Sequence, residues 1–127
     1  ALATYLGVDR PDYMGYSMGG FIGVSAAAQA PDLWGRIVLA GIGQNYTSST
    51  VVDPRDIAEG LLAPSLDVVR GAVPRQFRRF AESSGNDLKA LAACMLRPRR
   101  SLNAQDLVHV RNRVLVITGE RDTISGP

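Results

Sequence analysis

Residues Gly15-Tyr16-Ser17-Met18-Gly19-Gly20 place a serine between two glycines in the order G-x-S-x-G. That pattern suits a hydroxyl nucleophile. A serine oxygen must be lifted clear of the backbone before it can attack a carbonyl, and a sharp strand-to-helix turn does this. Such a turn holds Ser17 in a sparsely populated backbone conformation. A Cβ at position 15 or 19 is expected to crowd it, so both flanks are glycine. The surroundings fit, with a strand-like run Pro11-Asp12-Tyr13-Met14 before the motif and an apolar helix-like run from Phe21 to Ala28 after it. A helix predicted over 18–30 would aim its unpaired N–H groups and partial positive charge at the reaction site. Two other glycine-rich motifs are not spelled: no G-K-[ST] follows, and G-x-G-x-x-G is absent.

The elements that must position this serine divide the chain in three. Residues 1–43 alternate helix, strand, helix, strand with short loops, the mark of a parallel sheet covered by helices on both faces. Ile37–Gly43 has no polar alternation and reads as a central strand buried on both sides. Residues 44–108 lose every strand signal. Asp53-Pro54, Val73-Pro74 and Asn86-Asp87 each open a helix. Phe77 and Phe80 are expected on one face of the second of these. Leu88, Leu91, Ala92 and Met95 recur at helical spacing in the third, which Pro98 ends. Asn103 with Asp106 resembles a capping box for a short last helix. Residues 109–127 return to the sheet, with Val114–Thr118 as a short buried strand and Gly119 opening a turn that carries Glu120, Arg121 and Asp122.

With these residues in place, the chain resembles the α/β-hydrolases that use a serine nucleophile. Besides Gly15–Gly20, the run Ala30-Pro31-Asp32-Leu33-Trp34-Gly35-Arg36-Ile37-Val38-Leu39-Ala40 is similar to the family's helix exit and next strand. Val114-Leu115-Val116-Ile117-Thr118-Gly119-Glu120-Arg121-Asp122 resembles its penultimate strand and acid loop. The resemblance implies a partial α/β-hydrolase fold: a mostly parallel sheet flanked by helices, with 1–43 as core, 44–108 as a helical lid and 109–127 as core strand and acid loop. It implies Ser17 as nucleophile, Asp122 as the triad acid (Glu120 ranking well behind) and the Met18 backbone N–H as one oxyanion donor. The reaction expected is cleavage of an ester, lactone, thioester or carbon–carbon bond through an acyl-enzyme. Serine at position 17 argues against the dehalogenase and epoxide hydrolase relatives, whose nucleophile is aspartate. The chain begins at Ala1 inside a helix-like run and stops in a loop, whereas the fold needs roughly 250 residues. It is therefore expected to be an internal piece without the histidine or the second oxyanion donor, and inactive alone.

His109 is the only histidine. It precedes the strand that Asp122 follows, and five strand residues span roughly 16 Å, so His109 is expected to be a connector residue and not the base. Tyr16 is expected to be a core aromatic and Cys94 a small buried residue on a helix. Arg75, Arg78, Arg79, Arg97, Arg99 and Arg100 are read as solvated faces of the lid helices rather than as an anion site. Arg113 stands where the family commonly has proline. A net charge of +2 makes no claim on nucleic acid. No apolar run reaches the ~18 residues of a membrane span, so cytoplasm is the default compartment. A small acyl substrate is expected, with no cofactor and no metal. The alternative is a ligand-binding or interaction protein that kept the scaffold without the chemistry.

Overall fold

A computed structural model describes residues 2–43, 53–98, 102–122 and 124–125. Its contacts divide the chain into two compact units, residues 1–48 with 101–127, and residues 49–100.

The first unit is built on three parallel strands in the order β1 (Tyr13–Tyr16), β2 (Ile37–Ala40) and β3 (Val114–Ile117). A short α1 (Leu2–Tyr5) precedes them. Helix α2 (Met18–Gln29) connects β1 to β2 and packs on both. Gly20, Gly23, Val24 and Ala27 form its buried stripe, at the i, i+3, i+4, i+7 spacing of one helix face. Val24 and Ala27 meet Ile37, Leu39, Ile42 and Leu102 in the core. Leu107 packs against the same core, so residues 102–107 join the sheet unit although the sequence suggests a helical insertion running to 108. They include the short 3-10 helix Ala104–Leu107, whose capping box between Asn103 and Asp106 forms as expected.

Polar side chains tie the two ends of β3 to the neighbouring chain. At its amino end the Asn112 carboxamide nitrogen lies 2.7–3.1 Å from the carbonyls of Pro31, Trp34 and Gly35. At its carboxyl end Thr118 Oγ1 donates to the Ile42 carbonyl at 2.6 Å.

In this unit burial differs from expectation at two places. All four residues of β3 are exposed, between 44% and 55%, because the helix cover from α2 lies over β1 and β2 and β3 is an edge strand. Tyr16 is 73% exposed rather than a core aromatic. Side chains alternate along a strand, so Tyr13 and Gly15 face α2 while Met14 and Tyr16 face the opposite, open side.

Among its described residues the second unit has three α-helices, α3 (Pro54–Leu62), α4 (Ala72–Ser83) and α5 (Leu88–Leu96), with a 3-10 helix Leu66–Val68 between the first two. Asp53 caps α3 by accepting from the Arg55 amide at 2.8 Å. Asp87 caps α5 by accepting from Lys89 and Ala90 at 2.9 and 3.0 Å. The core is Ile57, Ala58, Leu61, Ala81 and Ala92, with Phe77, Leu91 and Met95 packed against it. Phe80, expected beside Phe77, is exposed, and so is Cys94. The buried stripe of α4 is Pro74, Arg78 and Ala81 with Phe77 at its margin, and the further turn of about 60° from Phe77 to Phe80 takes Phe80 beyond that margin. Cys94 lies between the turns that Leu91, Ala92 and Met95 bury.

Arg78 is only 5% exposed, contrary to the solvated face expected of it. Its Nη1 donates to the carbonyls of Gly60, Leu61 and Ala63 at 3.1, 2.9 and 2.7 Å, and its Nε to Glu82 at 2.6 Å. A helix's last carbonyls have no intrahelical partner, and this guanidinium satisfies those ending α3 while opposing the negative end of its dipole. Arg75 similarly donates to the Leu66 and Val69 carbonyls. Arg99 and Arg100 lie outside the described residues.

Candidate active site

Ser17 joins β1 to α2 with φ 50° and ψ −113°, a left-handed conformation that non-glycine residues rarely adopt. Two backbone bonds hold it there. Its amide donates to the Ala40 carbonyl at 2.8 Å, and its carbonyl accepts from Phe21 at 3.1 Å. A serine preceding a helix ordinarily turns its hydroxyl onto the helix's free amides. Ser17 makes no such side-chain cap bond and is exposed. Met18, the first residue of α2, carries one of the amides that the helix itself cannot satisfy.

The glycines divide their work unequally. A Cβ on Gly15 would fall on the Gly19 carbonyl, so no other residue fits there. Gly19 is different: outside its own helix, the nearest atom to a Cβ would be Tyr13 Oη at 4.0 Å. The crowding expected at Gly19 falls instead on Gly20, whose Cβ would lie 2.8 Å from Ile42 Cγ2. Tyr13 gives the turn a further tether, its hydroxyl donating to the Gly19 carbonyl at 2.6 Å. Its ring packs edge-on against Trp34, the centroids 5.4 Å apart.

Asp122 lies beyond β3 in a turn closed by its own amide, which donates to the Gly119 carbonyl at 3.0 Å. Its Oδ1 accepts from the amides of Ser125 and Ile124 at 2.8 and 3.0 Å. The Ser125 amide is the main influence holding the Asp122 carboxyl below the usual carboxylate range. The Ile124 amide adds to it, and partial burial opposes it. Glu120 sits exposed on the same turn.

Since the strands are parallel, Ser17 after β1 and Asp122 after β3 stand at the same, carboxyl-terminal edge of the sheet. His109 lies exposed before β3, at the opposite edge. A cleft of about 1010 Å³ lies within the helical unit, between α3 and residues 68–74. None of Ser17, Met18 and Asp122 lines it, and its wall includes the carboxylates of Asp53, Asp56 and Glu59.

A family model described as alpha/beta hydrolase fold matches residues 2–126. The chain belongs to the α/β-hydrolase fold family. No curated protein and no solved structure gives a match. The parallel sheet with its flanking helices is the α/β-hydrolase architecture in part. Among the described residues, no helix is long and apolar enough to cross a membrane, and no three His, Cys, Asp or Glu side chains gather to hold a metal.

Sequence reasoning alone passes over Tyr13 and Ser125. Tyr13 offers no signal, because its partner Gly19 sits across the turn. Ser125 offers a faint one, the Asp-x-x-Ser spacing with which an aspartate caps the amides that follow it.

Proposed function

We propose that this chain carries the nucleophile and the acid of a serine hydrolase that cleaves an ester, lactone or related acyl bond through an acyl-enzyme. The observation that carries the reading is the Ser17 hydroxyl, withheld from helix capping and held out at the sheet edge by a strained backbone. Strain of this kind persists only where the surrounding structure over-determines it, and a binding protein gains nothing from it.

In this mechanism an imidazole takes the Ser17 proton as Oγ bonds to the substrate carbonyl carbon. The oxygen that becomes negative is met by the Met18 amide, at the positive end of α2. The imidazolium then protonates the leaving alcohol as its C–O bond breaks. Water repeats the sequence on the acyl-enzyme and restores Ser17. Asp122, kept ionised by its two amide donors, orients the imidazole and stabilises its charge. His109, at the far end of β3, cannot be that base, so a histidine outside residues 1–127 supplies it. The helical unit takes the place of the lid in chain order, between β2 and β3.

The test is labelling by a fluorophosphonate probe in the polypeptide that includes the base. Ser17 should carry the label, and Ser17→Ala should take none. Equal labelling of both would remove Ser17 from the mechanism. No labelling of either would favour a non-catalytic ligand-binding member of the fold. Residues 1–127 alone should show no Ser17-dependent turnover of an activated ester.

A further inference from the structure

The turns that carry Ser17 and Asp122 follow different strands, and the strand between them bonds to both. The Ser17 amide donates to the Ala40 carbonyl at 2.8 Å. The very next carbonyl of the chain, that of Gly41, accepts from Ser125 Oγ at 2.7 Å. Ser125 in turn gives its own amide to Asp122 Oδ1 at 2.8 Å. Two adjacent peptide units at the end of β2 thus hold one turn each.

Gly41 is what allows this. Its amide stays on the sheet ladder, donating to the Ile117 carbonyl at 2.8 Å, while its φ of +61° turns the carbonyl out of the strand. Any other residue would be strained at that φ, and its Cβ would lie 2.7 Å from the Tyr16 ring.

We propose that Ser125 is a positioning residue whose hydroxyl fastens the acid turn to Gly41 and so fixes Asp122 relative to Ser17. The proposal rests on the reading of those two residues as acid and nucleophile. The turn has an anchor at each end, Thr118 Oγ1 on the Ile42 carbonyl and Ser125 Oγ on Gly41. With only the first, the two amides that cradle Asp122 can swing about Thr118, and a displacement of about 1 Å is enough to spoil the orientation of a catalytic group. The acidity of Asp122 responds to the same residue through the Ser125 amide, while the hydroxyl gives its one proton to Gly41.

The experiment compares Ser125→Ala and Ser125→Thr with the native protein by two readouts. One is the titration of the Asp122 carboxyl followed by carbon NMR; the other is the rate of Ser17 labelling as a function of pH. Ser125→Ala should move the Asp122 midpoint up and slow labelling about tenfold, and Ser125→Thr, which keeps the hydroxyl, should restore both. An Asp122 midpoint unchanged in Ser125→Ala overturns the proposal. So does a shifted midpoint with labelling unaltered, because Ser125 would then be only structural. If Ser125→Ala does not fold, the native protein decides by the protection of the Ser125 amide from hydrogen exchange. Asp122 has a depressed pKa when folded, so that protection should be present above its midpoint and lost as pH falls through it; protection independent of the midpoint overturns the proposal. If Ser17 takes no label but the Asp122 midpoint still responds to Ser125→Ala, the clamp stands and the hydrolase reading falls.

Discussion

Polar residues at α-helix ends are used differently in the two units. In the helical unit the polar residues at the ends of α3 and α5 are spent on structure. Asp53 and Asp87 cap α3 and α5, and a buried Arg78 gathers the carbonyls that end α3. In the sheet unit Ser17 stands at the start of α2, where serine is among the best capping residues, and makes no cap bond. On the proposed function, the contrast fits a sheet unit that reacts and a helical unit that holds its shape.

The largest effect expected on the reactive side is at Asp122. Asp122→Asn should reduce turnover of the base-containing protein by a factor on the order of 10⁴, with Glu120→Gln near normal. The reverse result would make Glu120 the acid.

On the structural side, Arg78→Ala should destabilise the helical unit by about 2–4 kcal/mol in urea unfolding. It strips buried carbonyls of their donor and leaves Glu82 unpaired. A loss below about 1 kcal/mol would mean that water replaces the guanidinium.

The glycines sharpen the contrast within the motif itself. Gly15→Ala forces a Cβ onto the Gly19 carbonyl and should cost about 1–3 kcal/mol together with probe labelling. Gly19→Ala meets nothing nearer than 4.0 Å outside its helix and should change stability by less than about 1 kcal/mol. Equal penalties would show that the motif needs both glycines for the same reason.

The smallest effect compares the caps directly. Asp87→Ala should lower stability by about 1 kcal/mol, as loss of a working cap does. Ser17→Ala has no cap bond to lose and should stay within about 0.5 kcal/mol of the native protein, even though labelling disappears. Matched losses in thermal denaturation would show that Ser17 caps α2 in solution.

What could be read from sequence was whatever is decided within one turn of chain. The caps at Asp53, Asp87 and Asn103, the stop before Pro98 and the strand-to-helix turn at Ser17 all depend on neighbours a few residues away. What could not be read depends on distant partners. Arg78 finds its acceptors 15 to 18 residues back in the chain, and no local pattern marks an arginine as buried. Exposure of β3 and Tyr16 depends on which faces α2 covers, and an apolar run such as Val114–Ile117 looks the same with or without a cover. The bond between Gly41 and Ser125 spans 84 residues and leaves no local pattern.

Val114-Leu115-Val116-Ile117 has a further property. Four apolar residues in succession contain no alternation, so nothing in them distinguishes the observed pairing with β2 from one displaced by a single residue. Such a slip would carry everything after the strand about 3.3 Å along the sheet, enough to take a carboxylate out of reach of the group it must orient. The polar residues at the two ends supply what the strand lacks. Asn112 matches one position only to the carbonyls of Pro31, Trp34 and Gly35, and Thr118 one position only to Ile42. They act as the two pins of an alignment jig, and the height of Asp122 above the sheet is set by an amide and a hydroxyl that never touch it.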